Sequence, residues 1–243
     1  MLLVHGINEH SGRYRHVGQH FASKGYDVLA YDLRGHGQSG GRRGYVDSFS
    51  QYLDDLEDLV IERRQLGLPV VVVAHSMGGL IASTYLVQGR QAPDYLVLSA
   101  PALGANLALW QKVSAPVLSV VAPKFQVKSP INPSRLTRDE DAQQAYRDDP
   151  LRVKGTTGRL AHELFTTMQK TSQAIDRIAL PAYVLHGSAD QVVPQEWSAP
   201  LASLPNVTYR VWDQLRHECF NEPEWLEVVG EISGWLDQQL ART

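Results

Sequence analysis

The sequence predicts an α/β protein with a mostly parallel central sheet and helices on both faces. Two observations lead to this fold class. Apolar runs of strand length alternate with segments of helical period along most of the 243 residues, and the run 70–73 consists only of valine. A continuous β-branched run is typical of a strand buried on both faces, as in parallel sheets. Repeated strand–helix alternation implies crossover connections, which make neighbouring strands parallel.

The elements follow one another regularly outside the middle of the chain. Strands are predicted at residues 2–4, 26–31, 70–73, 95–99, 182–186 and 207–212. Helices are predicted where apolar side chains recur at helical spacing, at about residues 14–25, 49–60, 80–87, 158–176 and 225–236. The last helix is strongly amphipathic, because Val228, Ile232 and Trp235 share one side of it.

The alternation breaks between Pro101 and about Thr157. This stretch is rich in proline and shows no clean strand, but it contains apolar runs at 107–113 and 117–121. Its apolar content argues against a disordered linker. We therefore expect one domain, 1–243, with an inserted cap of short helices at 102–157.

Composition excludes several classes of protein. The formal net charge is −3 and basic residues do not cluster, so nothing indicates nucleic-acid binding. Cys219 is the one cysteine, which excludes an internal disulfide and a cysteine metal site.

No run approaches the roughly 18 apolar residues of a membrane span, and the first residues lack the features of a signal peptide. We expect a soluble cytoplasmic protein without metal or cofactor. The sequence does not indicate its oligomeric state.

Ser76 is the candidate nucleophile. It follows the valine strand in the segment VVVVAHSMGG, with small residues two positions before and after it, Ala74 and Gly78. This is the nucleophile elbow of α/β hydrolases, with Ala74 at the usual first glycine. The tight turn strains the serine backbone and exposes its Oγ, and the N-terminus of the following helix favours negative charge there.

A serine hydroxyl needs a base, and on this fold the partners follow in the order serine, acid, histidine. Asp190 follows the strand 182–186, and His217 lies in the loop after the strand 207–212. The alternatives are a turn aspartate that caps a helix and an exposed loop histidine. We predict that Asp190 orients His217 and that His217 is the general base. Glu218 has no assigned role and is expected to be solvated.

The oxyanion hole is expected from backbone N–H groups. On this fold one comes from the residue after the nucleophile and the other from the loop after an early strand. Met77 and Ile7, the latter in the segment His5-Gly6-Ile7, occupy these positions. Their amides matter more than their side chains.

The segment 35–40, GHGQSG, matches the dinucleotide-binding pattern GxGxxG. In a dinucleotide-binding fold that pattern opens a helix directly after a strand. Here more glycines and two arginines follow, and no helix can begin before about Ser48. We therefore interpret the segment as a surface turn and expect no cofactor.

Several blocks together resemble the monoacylglycerol lipase family. They are VHGINEHSGRY at 4–14, DLRGHGQSG at 32–40, AHSMGG at 74–79, YRDDPL at 146–151 and HGSAD at 186–190. They occur in that family's order and span almost the whole chain. The combination of the first two blocks is specific to this group, whereas the serine and aspartate motifs occur across α/β hydrolases.

The resemblance implies an α/β-hydrolase fold and hydrolysis of a single-chain fatty acyl ester, with the acyl chain under a mobile cap. It implies a small lipid ester as substrate and transient contact of the cap with a membrane or micelle. Glu9, Arg13, His75 and Tyr146 match family positions around the alcohol-side pocket. The alternative is structural, with Glu9 and Arg13 forming an ion pair that anchors the loop.

The chain departs from the family pattern in two ways. Ala74 replaces the usual glycine, and Met1 lies only a few residues before the predicted oxyanion loop. The antiparallel strands that precede this loop in relatives are apparently missing, either by truncation or by loss of a sheet edge, which would leave an edge exposed.

The favoured function is hydrolysis of monoacylglycerol through an acyl-enzyme on Ser76. A general carboxylesterase, a lysophospholipase or a hydrolase of short peptides is the alternative among enzymes. A non-catalytic binding protein on this fold would typically have lost a triad residue, and Ser76, Asp190 and His217 are all present.

Overall fold

A parallel sheet forms the centre of the computed structural model, which describes residues 1–106, 109–128 and 131–242 and, within 109–113, the backbone alone. Its strands are β1 (Leu2–Val4), β2 (Leu29–Tyr31), β3 (Val71–His75), β4 (Tyr95–Ser99), β7 (Ala182–Gly187) and β8 (Val207–Trp212). Their order is β2-β1-β3-β4-β7-β8, and every neighbouring pair is parallel. The predicted fold class is confirmed. Strand β2 is shorter than the predicted 26–31.

Helices cover both faces of this sheet. They are α1 (Arg15–Ser23) and α7 (Trp225–Leu240) on one face and α2 (Ser50–Arg64), α3 (Met77–Val87) and α6 (Gly158–Ser172) on the other. Two more helices, α4 (Leu109–Val121) and α5 (Glu140–Asp148), lie in the insertion. Helix α3 begins at residue 77 instead of 80, and α6 ends at 172 instead of 176. Element boundaries are the least reliable part of a prediction from sequence pattern. Among the described helices none is long and apolar enough to cross a membrane.

The core consists of two apolar clusters separated by the sheet. Val71 and Val73 pack with α1 and α7, whereas Val72 points the other way and packs with α2, α3 and α6. This alternation is the ordinary geometry of a strand. It explains the all-valine run, because both faces of β3 are buried.

Residues 102–157 contain α4, α5 and two short strands, β5 (Gln126–Lys128) and β6 (Gly155–Thr157). The strands pair antiparallel and are an addition to the short helices predicted for this stretch. Three-residue strands are too short to produce a visible alternation. Gly155 allows the close pairing, since a Cβ there would lie 2.4 Å from the Val127 carbonyl oxygen. Residues 107–108 and 129–130 of the predicted cap lie outside the described residues.

The glycine-rich segment 35–40 lies in a loop, as expected from the sequence. Gly35 and Gly37 have positive φ angles of 74° and 48°. The Asp32 carboxylate accepts hydrogen bonds from the N–H groups of Gln38 at 2.7 Å and Ser11 at 2.8 Å. The next helix, α2, begins only at Ser50. Through Asp32, hydrogen bonds thus connect this turn to Ser11 in the segment that follows β1.

Candidate active site

The carboxyl ends of four strands bring the predicted site residues to one edge of the sheet. Strand β1 leads to Ile7, β3 to Ser76, β7 to Asp190 and β8 to His217. In open parallel α/β sheets, ligand sites lie at this edge because the loops there converge. The topology thus collects residues that are far apart in the chain.

Ser76 lies in a sharp turn between β3 and α3. Its φ of 51° and ψ of −113° are rare for a residue with a side chain and cost roughly 1–3 kcal/mol. Hydrogen bonds hold the turn: the Ser76 N–H donates to the Ser99 carbonyl, and its own carbonyl accepts from Leu80 and Ala102, each at 3.0 Å. The expected backbone strain is present.

The small residues around this turn are sterically required. A Cβ at Gly78 would lie 2.4 Å from the Val4 carbonyl oxygen and 2.7 Å from that of His5. A Cβ at Gly79 would lie 2.8 Å from the Pro101 side chain. Helix α3 can therefore start close to β1 and to Pro101 only because these two positions lack side chains.

Ser76, His217 and Asp190 form a chain of hydrogen bonds. The Ser76 hydroxyl lies 2.9 Å from His217 Nε2, and His217 Nδ1 lies 2.7 Å from Asp190 Oδ2. With the proton on Nδ1, the imidazole donates to the carboxylate and its Nε2 accepts from the serine. This is the geometry that activation of a serine by a general base requires.

The carboxylate of Asp190 is well supplied with donors. Its Oδ1 accepts from the N–H groups of Val192 at 2.7 Å and Val193 at 3.0 Å, and its Oδ2 lies 3.1 Å from His186 Nε2. Burial alone would raise the pKa of Asp190, but the charge of His217 and these histidine hydrogen bonds hold it well below its usual range. Asp190 is therefore ionised opposite His217.

The pKa of His217 is shifted in the opposite direction. Burial lowers it, but the Asp190 carboxylate, with smaller contributions from Glu218 and Glu9, outweighs burial and raises the pKa above the ordinary value. A raised pKa makes the imidazole a stronger acceptor for the serine proton. The carboxylates around the histidine thus favour its role as a base.

His75 is a neutral neighbour of this histidine. Burial and the charge of His217 lower its pKa to about 3, and its ring centroid lies 4.7 Å from that of His217. Its Nδ1–H donates to the Ser99 carbonyl at 3.1 Å. His75 therefore packs against the base without competing for its proton.

The predicted oxyanion donors lie beside Ser76. Met77 is the first residue of α3, where a backbone N–H has no acceptor within the helix. Ile7 and Met77 line the same cavity as Ser76. The residue after Ile7, Asn8, has a φ of 62°, so the loop turns sharply here.

A buried ionic cluster borders the triad. Glu9 accepts from Gly6 N–H at 2.5 Å, from the Tyr14 hydroxyl at 2.7 Å and from Arg13 at 3.0 Å. Glu218 is only 4% exposed and forms two bonds with Arg13, at 2.6 and 2.7 Å. The expectation that Glu218 is solvated is therefore wrong. Its burial could not be predicted from the sequence, because the guanidinium that pairs with it lies on a distant part of the chain.

Tyr146 closes this cluster from α5. Its ring centroid lies 5.0 Å from the guanidinium carbon of Arg13 and 3.8 Å from that of Arg152. Sequence reasoning named Tyr146 but missed Arg152. Nothing in the local sequence signals such a stacking contact, because it depends on how α5 meets the chain that follows it.

Two hollows meet at Ser76. The first, called the apolar cavity below, has a volume of about 480 Å³; among its lining residues are Ser76, Met77, Ala115, Leu118, Phe165 and Met168. The second, called the polar pocket, has a volume of about 30 Å³, and Ser76, Glu9, His75, Tyr146, His217 and Glu218 are among the residues that line it. The serine hydroxyl therefore lies between an apolar and a polar compartment.

Comparisons with known proteins place this site in context. The model of the serine aminopeptidase S33 family matches residues 1–224. Phospholipase YtpA of Bacillus subtilis is 32% identical over 248 residues, which cover 99% of this chain and 95% of that protein. A monoacylglycerol lipase of Mycolicibacterium smegmatis is 33% identical over 248 residues, which cover 99% of this chain and 88% of that protein. The crystal structure of Paleococcus ferrophilus monoacylglycerol lipase superposes with a TM-score of 0.89 at 31% sequence identity. The superposition covers 97% of this chain and 92% of that one.

Proposed function

This chain belongs to the serine aminopeptidase S33 family, and on that premise we propose that it hydrolyses monoacylglycerols to glycerol and free fatty acid through an acyl-enzyme on Ser76. The chain is a carboxylic ester hydrolase of the α/β-hydrolase fold. Among its relatives, the names of the Mycolicibacterium and Paleococcus proteins specify monoacylglycerol as substrate. The position of Ser76 between an apolar cavity and a polar pocket is the observation that carries the proposal.

The first half-reaction forms the acyl-enzyme. His217 Nε2 takes the hydroxyl proton as Ser76 Oγ bonds to the acyl carbonyl carbon, and the carbonyl oxygen becomes an oxyanion. The N–H groups of Ile7 and Met77 donate to that oxyanion, each contributing roughly 3 kcal/mol in the transition state. The intermediate then collapses, the ester bond to the alcohol breaks, and the imidazolium protonates the leaving oxygen.

The second half-reaction releases the fatty acid. A water molecule takes the place of the alcohol and gives a proton to His217 Nε2 while its oxygen attacks the acyl carbon. The bond to Ser76 Oγ breaks, and the imidazolium returns the proton to the serine. Throughout, the charge of Asp190 stabilises the imidazolium without accepting its proton.

The apolar cavity is the proposed site of the acyl chain. Ala115 and Leu118 of α4 and Phe165 and Met168 of α6 give it an apolar wall. Each methylene buried there contributes about 0.8 kcal/mol. Esters of medium and long fatty acids should therefore bind better than acetyl esters.

The polar pocket is the proposed site of the glycerol group. The apolar side chains of Ile131, Leu136 and Val192 form part of its wall, and Glu9, His75, Tyr146 and Glu218 supply polar groups. Two free hydroxyls can pair with such groups, whereas a second acyl chain would leave them unpaired at about 1–3 kcal/mol each. This asymmetry favours monoacylglycerols over di- and triacylglycerols.

Residues 102–157 are proposed to act as a cap that also touches lipid surfaces. Val117, Val120 and Val121 of α4 are 55%, 77% and 77% exposed, and Phe125 is 62% exposed. Exposed apolar patches of this kind mark interaction sites. The patch borders the apolar cavity through Leu118, so contact with a micelle or membrane would bring substrate close to the entrance.

A cytoplasmic location is also proposed, because the one cysteine is present as a free thiol.

Labelling with a fluorophosphonate tests the proposed nucleophile directly. The reagent should modify one residue, and digestion followed by mass spectrometry should locate it at Ser76. A Ser76→Ala variant should remain unlabelled at the same protein concentration. Labelling elsewhere, or undiminished labelling of the variant, would refute the assignment.

A further inference from the structure

Glu218 is a buried carboxylate that takes no part in the proton transfers described above. It lies directly after His217 in the chain, is 4% exposed and lines the polar pocket. Its backbone N–H donates to the Leu136 carbonyl at 2.8 Å, and Asn221 Nδ2 donates to its Oε2 at 3.0 Å. The side chain is therefore held firmly at the alcohol side of the site.

Glu218 neutralises the cation nearest to it. Nη1 and Nη2 of Arg13 bind Oε1 and Oε2 of Glu218, and Nη1 also donates to Glu9 at 3.0 Å. Both terminal nitrogens are thus engaged by carboxylates. Planar bidentate pairing of this kind is the strongest contact that a guanidinium forms, and it competes directly with binding of a phosphate by Arg13.

The described part of the polar pocket's wall has no lysine or arginine side chain. Among the described residues that line it, the ionisable side chains are Glu9, His75, Tyr146, His217 and Glu218. Arg13 lies behind its two carboxylate partners. A neutral alcohol can bind such a pocket through hydrogen bonds, whereas an anionic group would face like charges in a water-poor environment.

We infer that Glu218 is a specificity-determining residue: by occupying Arg13, it restricts the enzyme to esters of neutral alcohols and excludes leaving groups that carry a phosphate or sulfonate. The inference rests on the proposed ester hydrolysis at Ser76 and narrows its substrate class. It separates glycerol esters from lysophospholipids, although a relative of 32% identity is named a phospholipase.

The test compares two synthetic esters that differ mainly in the charge of the leaving group. They are 4-nitrophenyl butyrate and 4-butyryloxy-3-nitrobenzenesulfonate, assayed at pH 8 because burial raises the pKa of Glu9 and its carboxyl must be ionised. The quantity measured is kcat/KM for the neutral ester divided by that for the sulfonate. Wild type should strongly favour the neutral ester.

Charge-altering variants should move this ratio in both directions. Glu218→Gln keeps the shape but removes one negative charge and leaves Arg13 less neutralised, so the ratio should fall about tenfold at an effective dielectric constant of about 20. Arg13→Met removes a positive charge and should raise the ratio. The double variant Arg13→Met/Glu218→Gln has the wild-type charge and should return the ratio to within about threefold of wild type.

Glu57→Gln is the matched control. Glu57 lies on α2, outside the site, and its carboxylate accepts a hydrogen bond from Arg90 at 2.7 Å. The ratio for this variant should therefore stay at the wild-type value. An unchanged ratio in Glu218→Gln and Arg13→Met would overturn the inference, and so would an equal fall in Glu218→Gln and the double variant. If Glu218→Gln does not fold, Arg13→Met and the double variant still decide the question.

The same assay separates this inference from the proposed function. Inactivity on 1-oleoylglycerol would refute the proposed substrate but leave the ratio of the two nitrophenyl esters readable. Conversely, an enzyme active on 1-oleoylglycerol that cleaves 1-oleoylglycerol 3-phosphate equally fast would keep the function and overturn the role of Glu218.

Discussion

The Ser76 hydroxyl lies 2.9 Å from Nε2 of His217, although the two residues are 141 positions apart in the chain. One follows β3 and the other follows β8, and the parallel sheet brings both loops to the same edge. The distance is set by the sheet and not by either loop alone. The predictions below all depend on this contact or on the groups that surround it.

Replacing Ser76 by alanine should abolish ester hydrolysis. The variant lacks the nucleophile but keeps the turn, since the hydrogen bonds that hold it involve only the backbone. Residual catalysis from the oxyanion donors should leave less than about 1% of the wild-type rate. Steady-state assays together with thermal melting check this, and a folded variant with several per cent of wild-type activity would contradict it.

Replacing Ser76 by glycine should also abolish activity but should raise stability. The φ of 51° is unfavourable for any residue with a Cβ and accessible to glycine. Relief of this strain should stabilise the fold by about 1 kcal/mol relative to Ser76→Ala. Denaturant unfolding of the two variants measures the difference, and equal or lower stability of the glycine variant would show that the turn is not strained.

Activity should fall on acidification as His217 becomes protonated. Since the pKa of His217 is raised, mainly by Asp190, half of the limiting kcat/KM should be lost at a pH above about 6.5. The titratable groups that face His217 are the carboxyl groups of Asp190, Glu218 and Glu9 and the imidazole of His75, which is neutral in this pH range. Rates measured from pH 5 to 9 check this, and a rate that stays constant down to pH 5 would exclude a histidine base.

Loss of the Glu218 charge should move this acidic limb. The carboxylate raises the pKa of His217, so Glu218→Gln should lower that pKa and shift the limb to lower pH. Glu57→Gln, far from the histidine, should leave the limb in place. A shift to higher pH in Glu218→Gln would show that the carboxylate does not act on His217 through its charge.

Cys219 should be inert despite its position two residues after His217. The thiol is fully buried, and burial raises its pKa, so little thiolate is available to react. Its Sγ contacts the Arg216 carbonyl at 3.6 Å. Iodoacetamide should leave the folded enzyme active and unmodified but alkylate the unfolded chain. Rapid inactivation that Cys219→Ser prevents would refute this.

The local features of the fold and site were predictable from sequence. The valine run marks β3 because both faces of that strand are buried, and the glycines after Ser76 mark the turn because a Cβ at Gly78 would collide with Val4 of β1 and one at Gly79 with Pro101. Such signals lie within a few residues of one another. They predicted the parallel sheet and the residues that the structure brings together at its edge.

Features that depend on distant pairs were missed. The pairing of β5 with β6 joins two three-residue segments, and the contact between Glu218 and Arg13 joins residues 205 apart. The support of Asp190 by His186 was missed although both lie in one motif, because the motif does not indicate which way the imidazole points. Long-range polar contacts of this kind leave no periodic trace in the sequence.

Hydrolysis of matched mono-, di- and trioleoylglycerol measures whether this enzyme prefers monoacylglycerols. The three substrates share one acyl group and differ in how many hydroxyls remain free to meet the polar pocket. Fatty acid release should be fastest from monooleoylglycerol, by at least about tenfold, because each unpaired buried polar group costs about 1–3 kcal/mol. Ser76→Ala should release none above background. Comparable rates on all three substrates would contradict the account and leave a general esterase or a lipase without this preference.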